Sequence, residues 1–209
     1  MAVMGTLALL VCGPQLEVAL EHEPAPVASV IRLAGGSPRS TLLLAAVDLL
    51  TEDAGITAKE LARVVVSRGP GSFTGIRSGL ATAEGLAAGT GLEIVSYSSL
   101  LAQAARCDGE GEVWAAQPGR RGEVYAQRFT LRPGQAPEKA GPVEILPVGA
   151  LAGRRPWVAP ELLDLGGAER RTVARTGAEG LIQLVRQRVP SEPVLPLYVE
   201  GPPVKGSTS

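Results

Sequence analysis

The sequence predicts an α/β chain of two subdomains, and two observations carry that prediction. Three short apolar runs at the start give way to alternating helix and strand patterns. After a polar break near Cys107, a second pair of strands is followed by further helical pattern. With 209 residues, 45% apolar and 20% charged, the chain can bury a real core, and disordered or fibrous classes are excluded. No repeat of short period is present.

The elements follow in order. Thr6–Val11 and Gln15–Glu21 flank Gly13-Pro14, a turn signal, and read as a hairpin. Val27–Leu33, rich in β-branched residues, is a third strand. Ser37-Pro38 opens a helix through Leu50 or beyond, since serine caps free amides and proline is tolerated in the first turn. Leu61–Ser67 is a short apolar strand buried on both faces. A glycine-rich stretch leads into a second helix ending near Ala88, then a strand at Glu93–Ser96 and a helix at Ser99–Arg106. The break Asp108-Gly-Glu-Gly-Glu112 sets the subdomain boundary, giving 1–106 and 107–209. Beyond it, Val113–Ala116 and Glu123–Leu131 are strands around Pro118-Gly119. Ala159–Gly167 and Gly177–Val189 read as helices, and Pro190–Pro203 as a proline-punctuated tail.

Charge and special residues narrow the function. The net charge of −1 supplies no general attraction to nucleic acid. Between Arg154 and Arg188 there are seven arginines against four acids, read as scattered solvated side chains rather than an RNA-binding stripe. Two cysteines, Cys12 and Cys107, make neither a disulfide framework nor a metal knuckle and read as small core residues. With His22 the single histidine, no metal-ligand spacing exists, so neither metal nor cofactor is expected. No run reaches the roughly 18 to 20 apolar residues of a membrane span. The first residues lack a basic n-region, so a cytoplasmic location without a membrane partner is expected.

The stretch Ser67-Arg-Gly-Pro-Gly-Ser-Phe-Thr-Gly-Ile-Arg-Ser-Gly79 asks whether it holds a phosphate. A Walker loop needs lysine after its last glycine, where this chain has Ile76, and the spacing of Gly69, Gly71 and Gly75 is one residue too long for the dinucleotide fingerprint. Pro70 also removes one amide from any cradle. Ser72 and Thr74 read as helix caps rather than nucleophiles, and no catalytic residue is assigned.

Both early helices are unusual. Gly75, Gly79, Ala83 and Ala87 recur every four residues, and each helical glycine costs about 1 kcal/mol relative to alanine. Close approach of another backbone would offset that cost, either from the chain's own sheet or from a partner. The preceding helix, Thr41 to Leu50, is apolar nearly all round with Asp48 its single charge, which calls for cover on its outer side. The expected partner-binding set is therefore Leu42, Leu43, Ala46 and Leu50 with Gly75, Ile76, Gly79, Leu80, Ala83 and Leu86.

The run Gly69-Pro-Gly-Ser-Phe-Thr-Gly-Ile-Arg-Ser-Gly-Leu-Ala-Thr-Ala-Glu-Gly-Leu-Ala87, followed by Ile94-Val-Ser-Tyr-Ser-Ser-Leu-Leu-Ala102, resembles the TsaB (YeaZ) family. Arg120-Arg-Gly-Glu-Val-Tyr125 and Leu197-Tyr-Val199 are similar to its second-subdomain hairpin and C-terminal tail. The resemblance implies an actin-like ATPase fold (the Hsp70–hexokinase, or ASKHA, type) with two related subdomains. It implies the dimerisation subunit of the machinery that installs threonylcarbamoyl on an adenosine beside the tRNA anticodon. There TsaD carries metal and catalysis, TsaE supplies an ATPase, TsaC makes threonylcarbamoyl-AMP, and TsaB binds TsaD through its first two helices. Contact with tRNA is then indirect, and a homodimer is expected when TsaD is absent. The chain departs from the family in placing Leu10-Val11-Cys12 where Asp-Thr-Ser is usual, and Arg39-Ser40 where His-Ser is usual. The competing reading is an autonomous nucleotide-binding enzyme of the actin-like superfamily; Leu10, unable to hold a cation, favours the scaffold.

Overall fold

The computed structural model describes residues 5–22, 28–35, 39–154 and 156–199. Strands β1 (Gly5–Leu10), β2 (Leu16–Glu21) and β3 (Ser29–Leu33) form an antiparallel ribbon. Helix α1 (Arg39–Asp53) leads to β4 (Leu61–Ser67), helix α2 (Phe73–Thr90) to β5 (Glu93–Tyr97), and β5 runs into the short helix α3 (Ser99–Ala104). The first sheet is ordered β3-β2-β1-β4-β5, with β4 and β5 parallel to β1. Val64, Val65 and Val66 are fully buried, as a central parallel strand covered on both faces requires.

The second sheet contains β6 (Gly111–Pro118), β7 (Glu123–Leu131), β8 (Glu138–Lys139), β9 (Glu144–Pro147) and β10 (Trp157–Val158). Its order is β10-β6-β7-β8, with β9 also on β7. In both sheets a leading strand pairs antiparallel with its successor and parallel with a later strand: β1 with β2 and β4, β6 with β7 and β10. The resulting architecture is α/β with two mixed sheets.

Layering follows from the apolar faces. Helices α1 and α2 cover the outer face of the first sheet, enclosing Leu7, Leu9, Val18, Leu43, Val66, Ile76 and Leu80. Between the sheets lie α3 and α4 (Gly177–Arg186), where Leu10, Ala19, Val65, Leu100, Phe129, Leu181 and Ile182 share one core. The strong amphipathy of α4 and its capping box, in which Thr176 and Glu179 exchange hydrogen bonds, fix its start. A boundary at 106/107 separates the two sheets, yet α4 packs on β1, β2 and β4. The chain thus returns to its first half.

Two expectations are corrected. The predicted helix Ala159–Gly167 is a chain of turns: Gly166 and Gly167 take left-handed φ of 59° and 79°. The Arg170 guanidinium instead binds the carbonyls of Ala159, Pro160 and Leu163, which a helix would have used internally. Nor are the later arginines freely solvated. Arg154 pairs with Glu144 at 2.8 Å and lies 4.9 Å over the Trp114 ring, Arg171 binds the carbonyls of Asp108 and Glu110, Arg175 pairs with Asp108, and Arg186 with Glu21. Arg171 and Arg175 tie loops together, Arg154 ties a loop to β9 and β6, and Arg186 ties α4 to β2.

Candidate functional site

The glycine-rich loop is built to press α2 onto the end of β1. Gly69 and Gly71 sit at φ of 106° and 147°, where L side chains are rare. A methyl on Gly71 would run into the Cys12 carbonyl oxygen, and one on Gly75 into that of Val11, with the Val11 carbonyl carbon at 3.0 Å and Cys12 Cα at 3.1 Å. Ser72 N–H donates to Cys12 O at 2.8 Å, and Ser72 Oγ accepts from Gly75 N–H at 3.2 Å as the N-cap. Thr74, also read as a cap, instead lies exposed in the first turn. The Ser72 amide holds the chain's own β1–β2 turn, the Gly75 and Ile76 amides bond back to Ser72, and Gly71 and Gly75 press on the same turn.

The same geometry gives the surroundings of the expected partner-binding residues. A methyl on Gly79 would meet Val11 Cγ2 and Val66 Cγ2, each at 3.3 Å, and Ala83 is fully buried beneath the sheet. Leu43, Ala46, Leu50, Gly75, Ile76 and Leu80 are buried as well. These eight residues, Gly79 and Ala83 included, are buried in the chain's own core beside the first sheet: α2 meets the backbone of Val11 and Cys12 at Gly75 and the side chains of Val11 and Val66 at Gly79. Leu42 is half-buried against the same cluster, and Leu86 is half-buried on the rim of a groove.

The outer side of the two helices is different. Leu44 and Leu49 of α1 are 51% and 58% exposed, and Phe73 at the start of α2 is 49% exposed. An open groove of about 670 Å³ runs between the helices, lined by Leu44, Arg77, Ser78, Ala81, Thr82, Gly85 and Leu86. No atom lies within 4 Å of where a Gly85 methyl would be. Apolar periodicity does not phase α1. Its exposed acids do, since Asp48 stands one turn after Leu44 and Glu52 one turn after Asp48; on α2, Arg77 and Glu84, two turns apart, mark the outer side in the same way.

A second polar cluster sits where the sheets meet. Glu17, Gln103, Arg106 and Gln117 are at most 1% exposed. Arg106 donates to Gln103 Oε1, the carbonyls of Ala159 and Arg175, and the Glu161 carboxylate, which also takes Arg32. Glu17 accepts from Ala178 N–H at 3.0 Å at the start of α4, with Arg32 3.8 Å away. Burial pushes the Glu17 carboxyl above its ordinary value despite that amide and the arginines. Glu161, although partly desolvated, is held below the usual range by Arg106 and Arg32. The charged members bolt the sheets together, whereas Gln103 Nε2 and both amide atoms of Gln117 are buried with no hydrogen-bond partner among the described residues. Beside the cluster Leu10, standing where the resemblance expects an acid, is 1% exposed in the inter-sheet core. Cys12 and Cys107 are buried, and no group of three metal-ligating side chains occurs among the described residues.

Comparison with known proteins bears on this arrangement. The family model for tRNA N6-adenosine threonylcarbamoyltransferase (TsaD) matches residues 39–152, which include α1, the glycine-rich loop and α2. The tRNA threonylcarbamoyladenosine biosynthesis protein TsaB of Bacillus subtilis is 31% identical over 132 residues, 63% of this chain and 57% of that one. The solved structure of YeaZ from Pseudomonas aeruginosa superposes with a TM-score of 0.70 at 26% identity, covering 94% of this chain and all of that one. The chain belongs to the TsaB (YeaZ) family. An uncharacterised protein of Mycobacterium tuberculosis is also similar, 33% identical over 156 residues, 73% of this chain and 71% of that one. Among the described residues of this TsaB-family chain, no helix is long and apolar enough to cross a membrane.

Proposed function

We propose that this chain is a non-catalytic scaffold subunit for the formation of threonylcarbamoyladenosine in tRNA, and that it binds a TsaD-type catalytic chain through the outer face of α1 and α2. The observation that carries the reading is the open groove edged by exposed Leu44, with Leu49 exposed elsewhere on the same helix, on helices whose inner faces are already satisfied. A helix inside a domain is polar where it meets water, and an apolar outer side is surface awaiting cover. Gly85 supports the same reading: its conformational cost has no compensating contact among the described residues, while a second helix could approach closely there.

The fold is read as actin-like, with two halves related by the shared pairing pattern of β1, β2, β4 and β6, β7, β10. The scaffold role is supported at the turn after β1. Leu10 is packed in the core, and the Cys12 carbonyl two residues on accepts from the Ser72 amide of the glycine-rich loop. TsaE would join through the complex, and tRNA contact would be indirect. The decisive experiment is reconstitution: the chain is mixed with TsaD from the same genome, and complex formation and tRNA modification are measured with wild type and with Leu49→Asp. ATP turnover by the chain alone, abolished by changing one of its own residues, would overturn the scaffold assignment in favour of the autonomous enzyme.

A further inference from the structure

The tail beyond α4 does not trail away from the molecule. It crosses to the edge of β5, where Tyr97 Oη donates to Val189 O at 2.6 Å, Ser96 N–H donates to Ser191 Oγ at 3.1 Å, and Glu192 N–H donates to Ser96 O at 2.9 Å. It then reaches Arg68, the residue just ahead of the glycine-rich loop. Arg68 Nε donates to Leu195 O at 2.8 Å, Arg68 O accepts from Leu197 N–H at 2.7 Å, and the guanidinium stands 3.5 Å from the Glu192 carboxylate. Its last described contact is aromatic: the Tyr198 ring stacks on Phe73 with centroids 5.2 Å apart and planes 26° from parallel. Phe73 is the first residue of α2, and Arg77, which lies 5.4 Å over the same ring, lines the outer groove.

Helix ends fray unless something outside the helix holds them. The first turn of α2 is held on its inner side by Cys12 O and on its outer side by this tail. Pro190, Pro193 and Pro196 restrict the tail's backbone, so ordering it loses less conformational entropy than a flexible segment would. We infer that residues 189–198 act as a brace: Arg68 is its hub and Tyr198 its terminal clamp, and together they fix Phe73 and Arg77 in the orientation a partner meets. The brace deepens the partner-binding reading and rests on it. It also ties the docking face to α4, so that the layer between the sheets and the outer helices are mechanically joined.

The test uses the full chain with Tyr198→Ala, Tyr198→Phe and Arg68→Ala, and Leu49→Asp as the control on the docking face itself. Amide exchange at residues 73–77 and affinity for the TsaD-type chain are read together, with melting temperature alongside. Because Tyr198 is 42% exposed, its truncation leaves the core intact. Tyr198→Ala is expected to speed exchange in the first turn of α2 and to weaken association up to about tenfold, the scale of one aromatic pair, at unchanged melting temperature. Tyr198→Phe keeps the ring and restores both. If Tyr198→Ala and Arg68→Ala leave exchange and affinity at wild-type values while Leu49→Asp weakens association at least tenfold, the brace is overturned and the docking face stands. If Leu49→Asp leaves association intact, the partner reading fails and takes the brace's docking role with it.

Discussion

On its inner side α2 places Gly75, Gly79 and Ala83 against β1 and β4; on its outer side it places Ser78, Ala81, Thr82 and Gly85 along an open groove. Both rows are small, and they are small for opposite reasons. Inside, the missing side chains let a helix backbone touch a strand backbone, which offsets the roughly 1 kcal/mol that each glycine costs. Outside, the missing side chains leave space that none of the described residues fills. Small residues in a helix therefore record close approach without telling which side approaches. The neighbours decide.

The comparison can be broken most forcefully at Gly75. Gly75→Ala drives a methyl into the Val11 carbonyl, and neither backbone can retreat without moving β1. We expect a loss of stability at or beyond the ~3 kcal/mol end of ordinary overpacking, seen as failure to fold or a collapsed melting temperature. Gly79→Leu comes next. Its added atoms meet methyl groups of Val11 and Val66 rather than backbone, so about 1–3 kcal/mol is expected, with thermal denaturation falling about 2–4 °C for each kcal/mol. A Gly79→Leu chain that melts like wild type would return the ridge to an outward-facing role.

Outer substitutions should show the reverse order of effects. Leu49→Asp changes a side chain that is 58% exposed, so the isolated chain should stay within about 0.5 kcal/mol of wild type in denaturant titration. Association with the TsaD-type chain should weaken by roughly ten- to a hundredfold, because a carboxylate is then buried unpaired in an apolar contact. Gly85→Ala is the mildest and the most diagnostic. With open space around the new methyl, it should raise the melting temperature through up to about 1 kcal/mol of helix propensity. A lower melting temperature would mean that the outer row is packed within the chain after all.

Much of the fold was legible because its strands are short, apolar and punctuated. The hairpin, the buried Leu61–Ser67 strand and both outer helices follow from periodicity and turn chemistry alone. The helix expected at Ala159–Gly167 was not, because what prevents it is a guanidinium eleven residues further along than Ala159, taking the carbonyls the helix needed. The short strands β8, β9 and β10 have two to four residues each, too few for any period to register. The candidate site was legible as a pair of helices but not as a face. Facing depends on Val11 and Val66, which lie outside α2; the small residues of the helix do not report them, and within α2 the facing shows only in the placement of Arg77 and Glu84. The bolt of Glu17, Arg106 and Glu161 was invisible for the same reason: its members come from β2, the end of α3 and a loop after β10.

The position of α4 has a consequence for how this molecule is made. Leu181, Ile182 and Leu184 close the inner face of a sheet whose own strands lie between residues 5 and 97. A ribosome therefore releases all five of those strands well before the helix that seals them exists. During that interval Ala8, Leu10, Ala19 and Val65 have no cover from α4, so the growing chain is most exposed to misassociation late in translation rather than early. A premature stop anywhere before residue 177 leaves an open-faced sheet, which should be a substrate for proteases and chaperones rather than a shorter working protein.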